Sequence, residues 1–244
     1  MPFDTQHTAS YYAATARHTT PYPSLDGELT ADVCVVGGGL TGVNTALELA
    51  ERGLSVILLE GRRIGWGASG RNGGQLIRGI GHDVSGFARY VGQDGVRYLK
   101  HAGIDSVALV ARRIEQYGIA CDLRWGFCEL ANTPAQFAAF KDEQRELAEL
   151  GYPHETRLVA PEQLHQIVAS DQYAGGLVDM GSGHLHPLDL VQGEARAAHG
   201  LGVRIFEQSP VLRIEHGATV TLHTARGKVC LLYTSDAADE EDSV

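Results

Sequence analysis

Residues 32–60 restrict what this chain can fold into more than any other stretch. Gly37-Gly38-Gly39-Leu40-Thr41-Gly42 is a G-x-G-x-x-G run between two short apolar, β-branched segments, 32–36 and 55–60, of the kind buried on both faces of a parallel sheet. Between them, residues 40–52 place Val43, Ala46, Leu47 and Ala50 on one helix face, and Gly53 ends the helix. The unit reads β-α-β and puts the chain in the α/β class. In a chain with 30 glycines the three-glycine pattern alone decides nothing. Its context is specific: a strand precedes it, it opens a helix, and the acid Glu60 closes the next strand 18 residues past Gly42.

Each position in that run has a physical role. Gly37 permits a tight turn, Gly39 lets backbone approach a pyrophosphate, and Gly42 lets the helix pack closely on the strand. The first-turn amides near Leu40 to Gly42 point at the phosphates with the positive end of the helix dipole behind them, which predicts a dinucleotide ligand. Glu60 would accept hydrogen bonds from a ribose. An acid there repels a 2'-phosphate and favours FAD or NAD over NADP, although Arg62 and Arg63 close behind weaken that exclusion. The following run, Gly65-Trp66-Gly67-Ala68-Ser69-Gly70-Arg71-Asn72-Gly73-Gly74-Gln75, has almost no bulk for a core but many backbone and side-chain donors. It suits either the lining of a flat polar heterocycle or a surface turn.

Charge and hydropathy remove several alternatives. The formal net charge of −10 is the wrong sign for a nucleic-acid binder. No stretch approaches the roughly 20 apolar residues of a membrane span, and residues 1–20 lack a secretory apolar region, so a cytoplasmic protein is expected. The cysteines Cys34, Cys121, Cys128 and Cys230 show no C-x-x-C spacing and read as reduced thiols, with Cys34 a small apolar strand residue.

Further along, 94–117 has the spacing of a core-packing helix capped by Gly118. Thr133, Pro134 and Gln136 spell a capping box for a second helix with Phe137, Phe140, Leu147 and Leu150 on one face. Residues 187–199 read as a helix begun by Pro187 and ended by Gly200. It leads into β-type runs at 203–206 and 211–214, one of them a third sheet strand, and 218–223 alternates like a half-exposed strand. After a turn at Arg226-Gly227 a strand should continue from Lys228. Residues 230–244 offer little to pack and look like sequence appended to an interrupted frame, so the natural protein is expected to differ beyond Val229. His184, His186 and Asp189 are spaced for a metal, but a histidine capping the helix at Pro187 or touching substrate is the simpler reading. His82 and Asp83 are adjacent, their side chains diverge, and they read as structural.

The strings VVGGGLTG, VILLE and GASGRNGGQ, in this order and spacing, resemble the D-amino-acid-oxidase-type FAD-dependent oxidoreductases, and the likeness runs through nearly all of residues 10–229. That resemblance implies an FAD-binding Rossmann-like β-α-β domain with an incomplete α+β substrate domain. The parts would be an N-terminal extension (1–30), the first FAD-binding part (31–82), a helical and substrate-domain segment (83–183), a truncated second FAD-binding part (184–229) and the tail (230–244). It further implies that Gly37, Gly39, Leu40, Thr41 and Gly42 hold the FAD pyrophosphate and Glu60 the adenosine ribose. Ser69, Gly70, Arg71, Asn72, Gly73, Gly74 and Gln75 would flank the pyrophosphate and the isoalloxazine edge, and Val211 would meet the adenine through its backbone. The implied reaction is oxidation of a small amine or amino acid by hydride transfer to flavin, with dioxygen as acceptor. No residue is assigned as catalytic, because the cofactor carries the hard chemistry. Nothing in the sequence names the amine or the oligomeric state. Family members commonly run longer and close the flavin pocket with their C-terminal part, so a chain of this length is expected to bind FAD poorly and turn over little. Two rivals stand beside this reading: an NAD-dependent dehydrogenase, which the GASGRNGGQ loop disfavours, and a non-catalytic truncated flavoprotein fragment.

Overall fold

The computed structural model describes residues 6–19, 21–81, 83–217 and 219–232. In chain order the elements are α1 (Tyr11–Thr15), β1 (Gly27–Ala31), β2 (Val33–Val36), α2 (Leu40–Glu51), β3 (Val56–Leu59), β4 (Gln75–Leu76), α3 (Ala88–Gln116), β5 (Arg124–Ala131), α4 (Pro134–Glu149), β6 (Thr156–Val159), β7 (Gly175–His184), α5 (Pro187–Gly200), β8 (Arg204–Phe206), β9 (Arg213–Glu215), β10 (Thr221–His223) and β11 (Gly227–Leu231). They form two compact units, one from residues within 1–73, 117–121 and 186–244, the other from residues within 74–116 and 122–185. The expected tail therefore begins inside a strand, since Cys230 and Leu231 complete β11; residues 233–244 lie outside the described residues.

The first unit is built on the expected β-α-β. β2, β3 and β8 pair in parallel in the order β2-β3-β8, with Val33 opposite Val56 and Ile57 opposite Arg204. All four residues of β3 are buried, as an apolar run without alternation requires. Val56 and Leu58 face a core shared with Val43, Ala46 and Leu47 of α2 and Leu188, Val191, Ala195 and Ala198 of α5. Ile57 and Leu59 face the opposite way and join Leu25, Ala31, Leu222 and Val229. That second core lies against another sheet, ordered β1-β11-β10-β9, in which β1 and β11 are parallel and the rest antiparallel. Burial of each such aliphatic side chain contributes about 2 kcal/mol, so β3 anchors both layers at once.

The second unit is an antiparallel sheet with two helices. β7 is its centre, pairing with β4, β5 and β6, and a bulge shifts its register with β5 between Trp125 and Phe127. α3 begins at Ala88 rather than at 94 and is interrupted at Gly92, whose φ of 68° breaks the helical path. The capping box of α4 forms as expected: Gln136 N–H donates to Thr133 Oγ1, and Thr133 N–H donates to Gln136 Oε1. Phe140 and Leu147 of α4 are its buried residues; Phe140 joins Ala131 and Leu177 in a small core.

Candidate dinucleotide site

The bend between β2 and α2 is set by glycine geometry. Gly37 has φ 106°, a region that side-chain-bearing residues rarely adopt, and its N–H donates to Leu59 O at 2.8 Å, which ties the bend to the end of β3. A Cβ on Gly42 would stand 1.9 Å from Gly37 O, so only glycine lets α2 come this close to the bend. The first helical bond of α2 is Val43 N–H to Gly39 O, which leaves the amides of Leu40, Thr41 and Gly42 without an acceptor inside the helix. Ser69 Oγ takes one of them, accepting from Leu40 N–H at 2.9 Å.

Glu60 turns toward the bend. Its Oε2 accepts from Gly38 N–H at 2.6 Å and its Oε1 from Arg62 N–H at 2.7 Å. A carboxylate offers about four acceptor positions, so two such bonds leave capacity for ligand hydroxyls. Around these groups lies an open cleft of about 440 Å³ lined by Gly37, Gly38, Gly39, Glu60, Gly61, Arg62, Trp66, Gly67, Ser69 and Pro210.

The glycine-rich run after Glu60 is no loose surface turn. Gly65 N–H donates to Gly38 O, Gln208 N–H to Arg62 O, and Ser209 N–H to Glu60 O. Cβ atoms on Gly65 and Gly70 would strike Val191 Cγ1 at 2.5 Å and Leu188 Cδ1 at 2.8 Å, so both glycines let the run lie flat on α5. The buried Glu207 anchors its start, accepting from Ile64 N–H at 2.7 Å and from Arg63 at 3.0 Å. Arg63 is thereby withdrawn as a partner for a 2'-phosphate. Arg62 instead lies over the indole of Trp66, 3.5 Å from the ring centroid. Arg71 donates to Gly67 O, and Asn72 to Ser69 O and Ala68 O, so both brace the short turn Ala68–Gly70.

Of the residues singled out by sequence, Gly37, Gly39, Glu60 and Ser69 line the cleft, and Leu40, Thr41 and Gly42 form the helix start beside it. Val211 is half-buried against the second core, next to the cleft residue Pro210. Gly74 and Gln75 belong to the other unit, where Gln75 stands opposite His184. Arg62, Trp66 and Pro210 were not singled out as site residues. Trp66, a lone aromatic between two glycines, carries a local signal of its own; Arg62 and Pro210 carry none. His186 caps α5, its Nδ1 accepting from Asp189 N–H at 3.1 Å, while its Nε2 meets Thr15 Oγ1 at 3.0 Å; no cluster of three or more metal-ligating side chains occurs among the described residues. His82 lies outside the described residues, and Asp83 caps the turn Val84–Phe87.

The glycine bend thus sits on a parallel sheet, and the same chain carries a separate antiparallel unit. The family described as DAO, FAD dependent oxidoreductase, matches residues 32–236, and the chain belongs to it. FAD is thus the family's cofactor, and the pyridine-nucleotide reading falls away. Gamma-glutamylputrescine oxidoreductase of Escherichia coli is 42% identical over 229 residues, 94% of this chain and 54% of the relative. A probable oxidoreductase of Haemophilus influenzae, OrdL, is 40% identical over 92% of this chain and 52% of its own length. The chain spans about half the length of the curated relatives it matches. Among solved structures, L-amino acid deaminase from Proteus myxofaciens shares the fold with a TM-score of 0.70 at 23% identity, covering 88% of this chain and 47% of that one.

Proposed function

We propose that this chain is the cofactor-binding part of an FAD-dependent oxidoreductase acting on the CH–NH bond of a small amine or amino acid, with dioxygen as the acceptor. The observation that carries the reading is the cleft itself: a glycine bend, a helix start with orphan amides and a strand-end carboxylate face one another within a chain that matches the family over 32–236. Bound FAD supplies the hydride-accepting chemistry.

The chain's own residues bind and orient. Gly39, Thr41 and Gly42 present amides to the pyrophosphate. Ser69 Oγ, already accepting from Leu40 N–H, has its hydroxyl proton left to donate. Glu60 accepts from the adenosine ribose through the lone pairs not used by Gly38 and Arg62. Gly70 to Gly73 and Val211 are carried as further cofactor contacts by the family likeness. A cytoplasmic setting suits the four cysteines, all free thiols, and no helix among the described residues is long and apolar enough to cross a membrane.

The test is to titrate FAD, ADP and NADH separately into the purified chain by calorimetry, then add candidate amines and record the flavin spectrum. FAD and ADP should bind, and NADH, which carries the same ADP moiety, should bind no tighter than FAD. Turnover is expected only when a polypeptide carrying the rest of the relatives' length is present, and weak FAD binding with little turnover from the 244 residues alone. Binding of NADH in preference to FAD, or heat release unaffected by Gly42→Val, would overturn the assignment.

A further inference from the structure

A second cavity, of about 340 Å³, lies in the same unit as the Glu60 cleft and shares none of its lining residues. That volume is at the lower end of the range for small-molecule sites. The N-terminal stretch supplies His7, His18 and Tyr22 to the wall, and α5 supplies Gln192 and Arg196.

Hydrogen-bond parity fixes what these groups have left to offer. Arg196 Nη1 lies 3.2 Å from His18 Nδ1. A guanidinium only donates, so Nδ1 accepts and the ring proton sits on Nε2. That Nε2–H is buried and meets no acceptor among the described residues. Gln192 shows the opposite deficit: its Nε2 donates to His7 Nε2 at 3.4 Å, while its buried Oε1 accepts from no described residue. Buried polar atoms are nearly always paired, because an unpaired one forfeits its hydration for nothing. The wall thus holds one unused donor and one unused acceptor, the complement of an amide, whose C=O accepts and whose N–H donates.

The charge on the wall is equally specific. Burial holds His7 and His18 below the usual imidazole range, so both are neutral at pH 7. Burial first, and the Glu207 carboxylate next, push the Tyr22 phenol up to about 12, so it is neutral too. Arg63 and Glu207 cancel each other across a 3.0 Å ion pair, and Glu207 also accepts from Ile64 N–H and Tyr22 N–H. The charge that remains is that of Arg196, which pairs with no carboxylate among the described residues. A single guanidinium suits a carboxylate monoanion.

We infer that this cavity is a second ligand site, taking a small monocarboxylate that carries an amide, with Arg196 holding the carboxylate and His18 and Gln192 reading the amide. N-acyl amino acids are the simplest members of that class, and Ala13, Ala16 and Ile64 give the wall an apolar part for their side chain. The site does not depend on FAD occupying the Glu60 cleft.

The test titrates the whole chain with N-acetyl-L-leucine by amide-resolved magnetic resonance. Saturable shifts should fall on His7, His18, Gln192 and Arg196. Isocaproate, which lacks the amide, and N-acetyl-L-leucinamide, which lacks the carboxylate, should each bind about tenfold weaker. Arg196→Gln removes the charge and should weaken N-acetyl-L-leucine about tenfold; His18→Phe keeps a ring without the donor and should cost about fivefold. Arg196 is exposed, so its replacement should leave the circular dichroism spectrum unchanged and keeps the test sound if His18→Phe fails to fold. No saturable shift at these residues up to the solubility limit would mean that water alone meets the two unpaired atoms, and would overturn the site. Unaltered affinity in Arg196→Gln, or shifts on Gly38 to Gly42 instead, would overturn it too. ADP binding is read separately on the same sample: its absence would sink the cofactor reading and leave this site standing.

Discussion

Each unit holds a carboxylate at the end of a strand or within one, and the two are equipped very differently. Asp179 in β7 is 2% exposed and surrounded: Tyr152 Oη donates to it at 2.8 Å, Ser182 Oγ at 2.7 Å and Gly181 N–H at 2.9 Å, and Arg78 Nε lies 3.2 Å away. Burial first, and that hydrogen bond next, push the Tyr152 phenol well above its usual range, so it stays a donor. Glu60 has only two backbone amides and borders an open cleft. A carboxylate saturated from within is a structural knot. One that is oriented by two donors and borders an open cleft keeps lone pairs to spare. Donor count therefore separates the two roles where residue type and strand position do not.

Removing each group should sharpen that contrast. Asp179→Ala leaves Arg78, 15% exposed, with Glu143 at 2.7 Å as its remaining anion. It should lower unfolding free energy by about 3 kcal/mol in a urea titration while ADP affinity holds. A change below about 1 kcal/mol would deny the saturated carboxylate its structural weight. Gly42→Ala forces a methyl against Gly37 O, 1.9 Å away; about 2 kcal/mol of stability and most ADP binding should go together. Glu60→Gln puts an amide nitrogen against one of two N–H donors. It should cost about 1 kcal/mol of stability and about tenfold in ADP affinity, the reverse of the Asp179 pattern. The smallest effect concerns Cys34 in β2, whose thiol burial pushes up to about 12. The reactive thiolate is then scarce at pH 8, and alkylation there should lag far behind a model thiol, rising only under denaturant.

The fold was legible where one short segment carried all its own signals. β2, α2 and β3 combine apolar runs, helical spacing and glycine punctuation within about thirty residues, and the structure places them within a residue or so of expectation. The α4 capping box and the helix opening at Pro187 are equally local. β1 was hidden because its partner, β11, lies some two hundred residues away and its alternation, Leu29 and Ala31 against Glu28 and Thr30, spans only four residues. β7 was hidden by its glycines. Gly183 would otherwise bring a Cβ 2.1 Å from Arg124 O, and Gly176 one 2.9 Å from Cys128 Sγ. These residues mark close strand approach, which in a linear reading looks like a loop.

The site divides in the same way. The bend and Glu60 follow from spacing, and the structure brings them together through Gly38 N–H and Glu60 Oε2. Arg62 and Pro210 enter only because the stretches after β3 and β8 are stitched together by Gln208 to Arg62 and Ser209 to Glu60, bonds across more than 140 residues. No local pattern announces such a pairing.

The most direct test is an amide-resolved magnetic resonance titration of the chain with ADP. The largest shifts should fall on Gly38 to Gly42 and on Arg62, whose amide reports the Glu60 carboxylate, and should vanish in Gly42→Ala. Saturable shifts confined to residues outside the Glu60 cleft, with the bend amides unmoved, would contradict it.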